Sequence, residues 1–171
     1  MANAKIIVSA VFLIVASTAW PASAAWELLD KTDDITDVRR VFLVTLPVKP
    51  LSSDFGRNPP LLEVGCVDDQ RQVNLATGDV ELAVTSWIGT SQEVTYRLDD
   101  SPPVTIGWVV SDSKKRLYSL HPEQMLDQLK KARTMKVRFL DAKRNYVSVA
   151  FDVSGLTDAL LKPLRDACKW D

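Results

Sequence analysis

Chemistry-bearing residues are scarce in this chain: one histidine, two cysteines and three methionines among 171 residues. The single imidazole, His121, stands directly before Pro122, with no Ser, Cys or carboxylate motif around it that would make a nucleophile and base pair. A structural role at a helix start suits it better. Two sulfurs and one imidazole do not complete a structural zinc set. The G-x-G-x-x-G, P-loop and H-E-x-x-H patterns are all missing, which removes the commonest dinucleotide, nucleotide and zinc-protease readings. An excess of either charge is also lacking: 21 basic residues face 22 acidic ones, for a formal net charge of −1. Without a basic stripe to neutralise phosphates, nucleic acid is not an expected partner.

What is present starts at the N-terminus. Lys5 precedes an uncharged, largely apolar run from Ile6 to Ala19, followed by Pro21 and the small-residue triplet Ala22-Ser23-Ala24. This is the pattern of a secretory signal peptide, residues 1–24, cleaved after Ala24. The run is about 14 residues, short of the roughly 20 needed to span hydrocarbon. The expected product is therefore a single exported domain, residues 25–171, with no stable membrane insertion after cleavage. Its length of about 147 residues fits one core rather than two.

Both cysteines, Cys66 and Cys168, remain in that product. In an exported chain an even, small cysteine count favours pairing, because the compartment beyond the membrane is oxidising. Two separate buried thiols are the alternative.

The mature sequence alternates like a β protein. Trp26–Asp37 reads as an ordered lead-in, and Val38–Leu46 as a strand too apolar and β-branched for a loop. Residues 47–60, with four prolines, read as the longest surface loop. Further strands are expected at Leu61–Val67, Gln72–Ala76, Glu81–Ile88, Glu93–Asp99 and Thr105–Val110, separated by Gly-, Asp- and Pro-containing turns. Val94, Tyr96 and Leu98 alternate with Thr95, Arg97 and Asp99, as in an antiparallel sheet with one solvated face. A helix is expected from Pro122, with Met125, Leu126, Leu129 and Ala132 inward; then a hairpin of Met135–Leu140 and Tyr146–Val153. The chain closes on a second helix, capped by Ser154, with Leu156, Ala159, Leu160, Leu164, Ala167 and Cys168 on its inner face and a kink or restart before Pro163. The fold class is thus β-rich (α+β): a curved antiparallel sheet or small β-sandwich with two packed helices, the second at the C-terminus.

Three acidic doublets, Asp33-Asp34, Asp68-Asp69 and Asp99-Asp100, could hold Ca²⁺ only if they converged; they lack EF-hand spacing, and Asp in a turn mimics backbone. No metal, cofactor or catalytic residue is assigned. Trp87 and Trp108 lie in expected strands and read as core, while Trp26 and Trp170 bracket the mature chain and could pack over its ends. The interaction surface is expected at the Arg97, Asp99, Asp100 edge and in the hairpin region containing Trp108, Lys114, Lys115 and Arg116.

These anchors also form a pattern. Trp26 with TDDITDV (32–38), PLLEVGCVDD (60–69), VTYRLDD (94–100), GWVVSDS (107–113), MKVRF (135–139) and FDVSGLTDALLKPLRDACKW (151–170) resemble, in order, the VasI/TagO family of type VI secretion-associated exported proteins. The C-terminal stretch carries most of the likeness. The resemblance implies a periplasmic accessory protein without enzymatic activity whose partner is an envelope or secretion-machinery protein, and its paired cysteines match Cys66 and Cys168. A small exported binding or inhibitor module, for example one blocking a cell-wall hydrolase through loop 47–60, is the alternative from another class.

Overall fold

The computed structural model describes residues 26–50, 55, 57–86 and 89–169. The expected signal segment, Trp87 and Trp170 lie outside them. Ten strands form one sheet: β1 (Glu27–Thr32), β2 (Arg39–Thr45), β3 (Pro47–Pro50), β4 (Leu61–Val67), β5 (Gln70–Ala76), β6 (Ser91–Leu98), β7 (Val104–Val110), β8 (Arg116–Ser119), β9 (Thr134–Leu140) and β10 (Tyr146–Asp152). Two helices, α1 (Pro122–Leu129) and α2 (Asp158–Cys168), complete the fold. Every ladder is antiparallel, in the order β1-β2-β4-β5-β8-β7-β6-β9-β10-β3.

That order carries a geometric constraint. Only Leu46 separates β2 from β3, yet β2 pairs with β4 near one end of the sheet while β3 pairs with β10 at the other. The sheet must therefore curl until its two ends are joined by one continuous stretch of chain, although the hydrogen-bonded order itself stays open. Alternation decides what lies inside the curl. Met135, Val137 and Phe139 of β9 and Val147, Val149 and Phe151 of β10 point inward and are buried, while Thr134, Lys136 and Arg138 point out. Trp108, Leu43, Leu62, Leu75 and Leu117 fill the same interior. Each such side chain, fully buried, stabilises the fold by roughly 1.5–3 kcal/mol relative to exposure.

The helices pack against this core. α1 lies against β5 and buries Met125, Leu126 and Leu129; α2 lies against β2 and β4 and buries Leu161, Leu164 and Cys168. Cys66 and Cys168 form a disulfide across 102 residues of sequence, with Cα atoms 5.7 Å apart. The bridge ties the last turn of α2 to β4. At the other end of α2, the buried Trp26 donates its indole N–H to the Ser154 carbonyl at 3.2 Å.

Local expectations change in several places, β8 among them, since no strand was expected at Arg116–Ser119. Of the strand expected at residues 81–88, the described part, 81–86, forms none; Leu82 makes an isolated bridge to Asp141. The side chain of Gln92 takes the position a ladder would use: its amide donates to the carbonyls of Ala83 (2.9 Å) and Leu140 (3.2 Å) and its oxygen accepts from the Leu140 N–H. The lead-in is a strand, β1, ended by Asp33, whose carboxylate accepts the N–H groups of Ile35 and Thr36. The proline-rich loop begins as β3, and prolines are tolerated there because β3 is an edge strand.

In α2 the cap is Thr157, not Ser154: the Thr157 hydroxyl accepts from the Leu160 N–H at 3.3 Å. Ser154 instead bonds Asp152. The inner face includes Leu161 beside Leu164 and Cys168, with Leu160 and Ala167 half-buried and Ala159 exposed. Pro163 sits within a continuous helix. It removes a single bond, to Ala159 in the first turn, where little helix precedes it to be bent.

Candidate functional site

The expected interaction residues do not form one surface. Arg97, Asp99 and Asp100 lie where β6 ends beside Val104, while Arg116 and its neighbours lie beyond Val110, at the opposite end of β7. A seven-residue strand separates them, a span of about 20 Å. Trp108 belongs to neither group. It is fully buried, because the β7 alternation turns it into the core, and it is corrected from surface to core.

The basic run 114–116 is engaged with the scaffold. Lys114 pairs with Glu81 at 3.6 Å, and Lys115 donates to the Asp79 carbonyl at 2.9 Å. Arg116 binds the Glu63 carboxylate and, at 3.1 Å, the Asn74 side-chain oxygen. Glu63 is 5% exposed, and burial pushes its carboxyl above the usual range, against the opposing pull of Arg116 and Asn74.

The carboxylates likewise act on backbone. Asp99, in the left-handed region at φ 47°, accepts the Thr134 N–H at 2.8 Å and the Arg133 N–H at 3.0 Å, tying the β6–β7 turn to the start of β9. These bonds, the Thr134 one foremost, hold its carboxyl below the ordinary value. Asp79 accepts the side-chain amide of Asn58 at 2.7 Å and the Arg57 N–H at 2.8 Å, pinning residues 57–58 of the proline-rich segment to the body. Gly78 stands beside it at φ 62°, and a Cβ there would lie 1.9 Å from the Asn58 carbonyl oxygen, so that only glycine fits. Among the described residues, no cluster of three or more His, Cys, Asp or Glu side chains could hold a metal ion.

Arg97 has a different setting. On the outer face of the sheet it is directly opposite Lys136, and Thr95 is opposite Arg138, which in turn faces Ser148. Arg97, Lys136 and Arg138 therefore occupy adjacent and diagonal positions, where like charges repel and destabilise a sheet. Arg97 reaches the Asp100 carbonyl at 3.1 Å and its carboxylate only at 3.9 Å, while its Nε is buried without an acceptor. Lys136 and Arg138 are exposed and have no carboxylate partner among the described residues. The Arg138 guanidinium lies over the Tyr146 ring, 5.6 Å from its centroid. These side chains line a shallow concavity of about 320 Å³, with Thr95 and Ser148 on its walls. Sequence reading reached Arg97 but missed Lys136, Arg138, Ser148 and Tyr146. The K-x-R alternation in MKVRFL marked an outward basic pair, but the β6–β9 pairing that sets it against Arg97 links residues about 40 apart and leaves no local trace.

The architecture is thus a curled, all-antiparallel β domain with two packed helices and one disulfide. A solved structure shares it: the crystal structure of invasion associated protein b from Bartonella henselae superposes with a TM-score of 0.52, covering 82% of this chain and 93% of that one at 15% sequence identity. At that identity the likeness establishes the fold alone. No family model matches the sequence, and no curated protein matches it. Among the described residues no helix is long and apolar enough to cross a membrane.

Proposed function

We propose that this protein is an exported, periplasmic, non-catalytic accessory of a type VI secretion machine, working by contact with protein or envelope partners. The observation that carries this reading is the use made of the polar side chains. Asp33, Asp79 and Asp99, on which acid–base chemistry could draw, each accept two or more hydrogen bonds that hold a turn in place. The scaffold so fixed presents uncompensated charge on its outer sheet face. The Cys66–Cys168 bridge supports residence in an oxidising compartment. The resemblance of residues 151–170 to the VasI/TagO family supports the link to secretion.

Deletion of the gene in a source that carries a type VI apparatus tests the reading. Type VI-dependent release into the medium is expected to fall and to be restored by the wild-type gene. Unchanged release would remove the secretion role, and turnover of cell-wall fragments by the purified protein would remove the non-catalytic one.

A further inference from the structure

We infer that the concavity on the outer sheet face, formed by Arg97, Lys136 and Arg138 with Thr95 and Ser148, is a binding site for a terminal phosphate group. The inference does not depend on the secretion role, since it concerns binding by the purified chain.

Three observations converge. First, the register sets Arg97 opposite Lys136, with Arg138 one diagonal step away, so three cations share a patch in which a carboxylate at any one position would relieve repulsion. The acidic residues nearby do not supply it. Asp99 is turned onto the Arg133 and Thr134 backbone, Asp100 is fully exposed and reaches Arg97 only at 3.9 Å, and Glu93, further along β6, makes no ion pair among the described residues. Second, the guanidinium groups are prepared for an acceptor. Arg97 keeps a buried Nε donor with nothing to receive it, and Arg138 is held over the exposed ring of Tyr146. Third, the cations surround a recess rather than a flat face, and its walls carry the hydroxyls of Ser148 and of Thr95, the latter sharing a hydrogen bond with the Thr105 hydroxyl at 2.8 Å.

The number of donors selects the anion. Two guanidinium groups, an ammonium and two hydroxyls offer more hydrogen bonds than the two oxygens of a carboxylate can accept. A phosphate monoester brings three acceptor oxygens and a charge between about −1.5 and −2 at neutral pH, which the three cations more than neutralise. Such a group could be the end of a soluble phosphate ester or the headgroup of phosphatidic acid, and the test separates them.

Inorganic phosphate is titrated into purified protein at pH 7.5, with ionic strength held constant by sodium chloride, while backbone amide resonances are followed. Shifts confined to β6, β9 and β10, and binding at least about tenfold weaker in the double variant K136Q/R138Q, are expected. The double variant should melt at or above the wild-type temperature, because it removes a like-charge pair, so its lost response is read on a folded protein. The second arm is flotation with phosphatidylcholine vesicles with and without phosphatidic acid. Capture that requires both the acidic lipid and the two cations assigns the site to a headgroup, and a phosphate response without capture assigns it to a soluble ester. A wild-type response no different from chloride, or an equal response in the double variant, overturns the inference.

Discussion

Replacing both Cys66 and Cys168 by alanine should destabilise the protein by as much as a costly core truncation. The bridge closes a loop across 102 residues of sequence, and chain-entropy reasoning for a loop of that length gives about 4.7 kcal/mol at 25 °C through the unfolded state. Both cysteines are buried, but the alanine pair leaves only small voids, so most of the effect should come from the unlinked chain. Equilibrium unfolding in urea, followed by tryptophan fluorescence, is the assay. With a slope of about 1.5–2.5 kcal/mol/M for a domain of this size, the midpoint should fall by about 2–3 M. The slope itself should steepen, since the unlinked chain exposes more surface when unfolded. A midpoint shift below about 0.5 M at unchanged slope would refute the reasoning, because it would mean that the unfolded chain is no freer without the bridge.

Other perturbations act at sites described above. Gly78→Ala forces a left-handed alanine and a Cβ onto the Asn58 carbonyl; it should cost more than about 1 kcal/mol, and limited proteolysis should show cleavage near residues 57–60, whereas an unchanged digest would contradict the close packing. Asp99→Ala should lower the thermal midpoint at pH 7, and the difference from wild type should shrink as pH falls: the Asp99 carboxyl is held below its ordinary value, so its contribution is present above the unfolded pKa of about 3.9 and lost as pH drops through the folded value. Glu63 has the opposite sign. Its raised folded pKa favours the protonated form, so its contribution is present below the unfolded pKa of about 4.3 and lost as pH rises. Glu63→Gln should therefore gain stability relative to wild type between acid and neutral pH, and parallel pH–stability curves would count against it. Leu164→Ala, at a fully buried position on α2, should cost about 2–5 kcal/mol in the same urea assay.

Much of this fold could be read from local pattern. The alternation of Met135, Val137 and Phe139 with Lys136 and Arg138, and the apolar run of β2, fixed strand and face because side-chain direction in a strand has a period of two. Both helices were signalled by their spacing, and the cysteine pair by its even count. What escaped depended on partners far away in the chain. The sequence of residues 81–88 reads as a strand, but within the described residues 81–86 the Gln92 side chain takes the Ala83 carbonyl and bonds Leu140 where a ladder would run. The start of α2 turned on which hydroxyl, Ser154 or Thr157, reached a free N–H, a matter of three residues. Trp108 was assigned both to a core strand and to a surface hairpin, and the register of β7 with β6 and β8 decided for the core. The cationic recess was legible only in part, because Arg97 and Lys136 become neighbours through strand pairing alone.

The one-residue link at Leu46 has a consequence for how the molecule can be made. β3 cannot find its place until β10 exists, about 100 residues later in the chain, and the cysteine that locks β4 arrives later still. A chain delivered N-terminus first, whether from a ribosome or through a translocation channel, can pair β1, β2, β4 and β5 as they emerge, but has to hold β3 unpaired until nearly all of the sequence is out. The arrival of the C-terminal hairpin is the step that seats β3 and joins the two ends of the sheet.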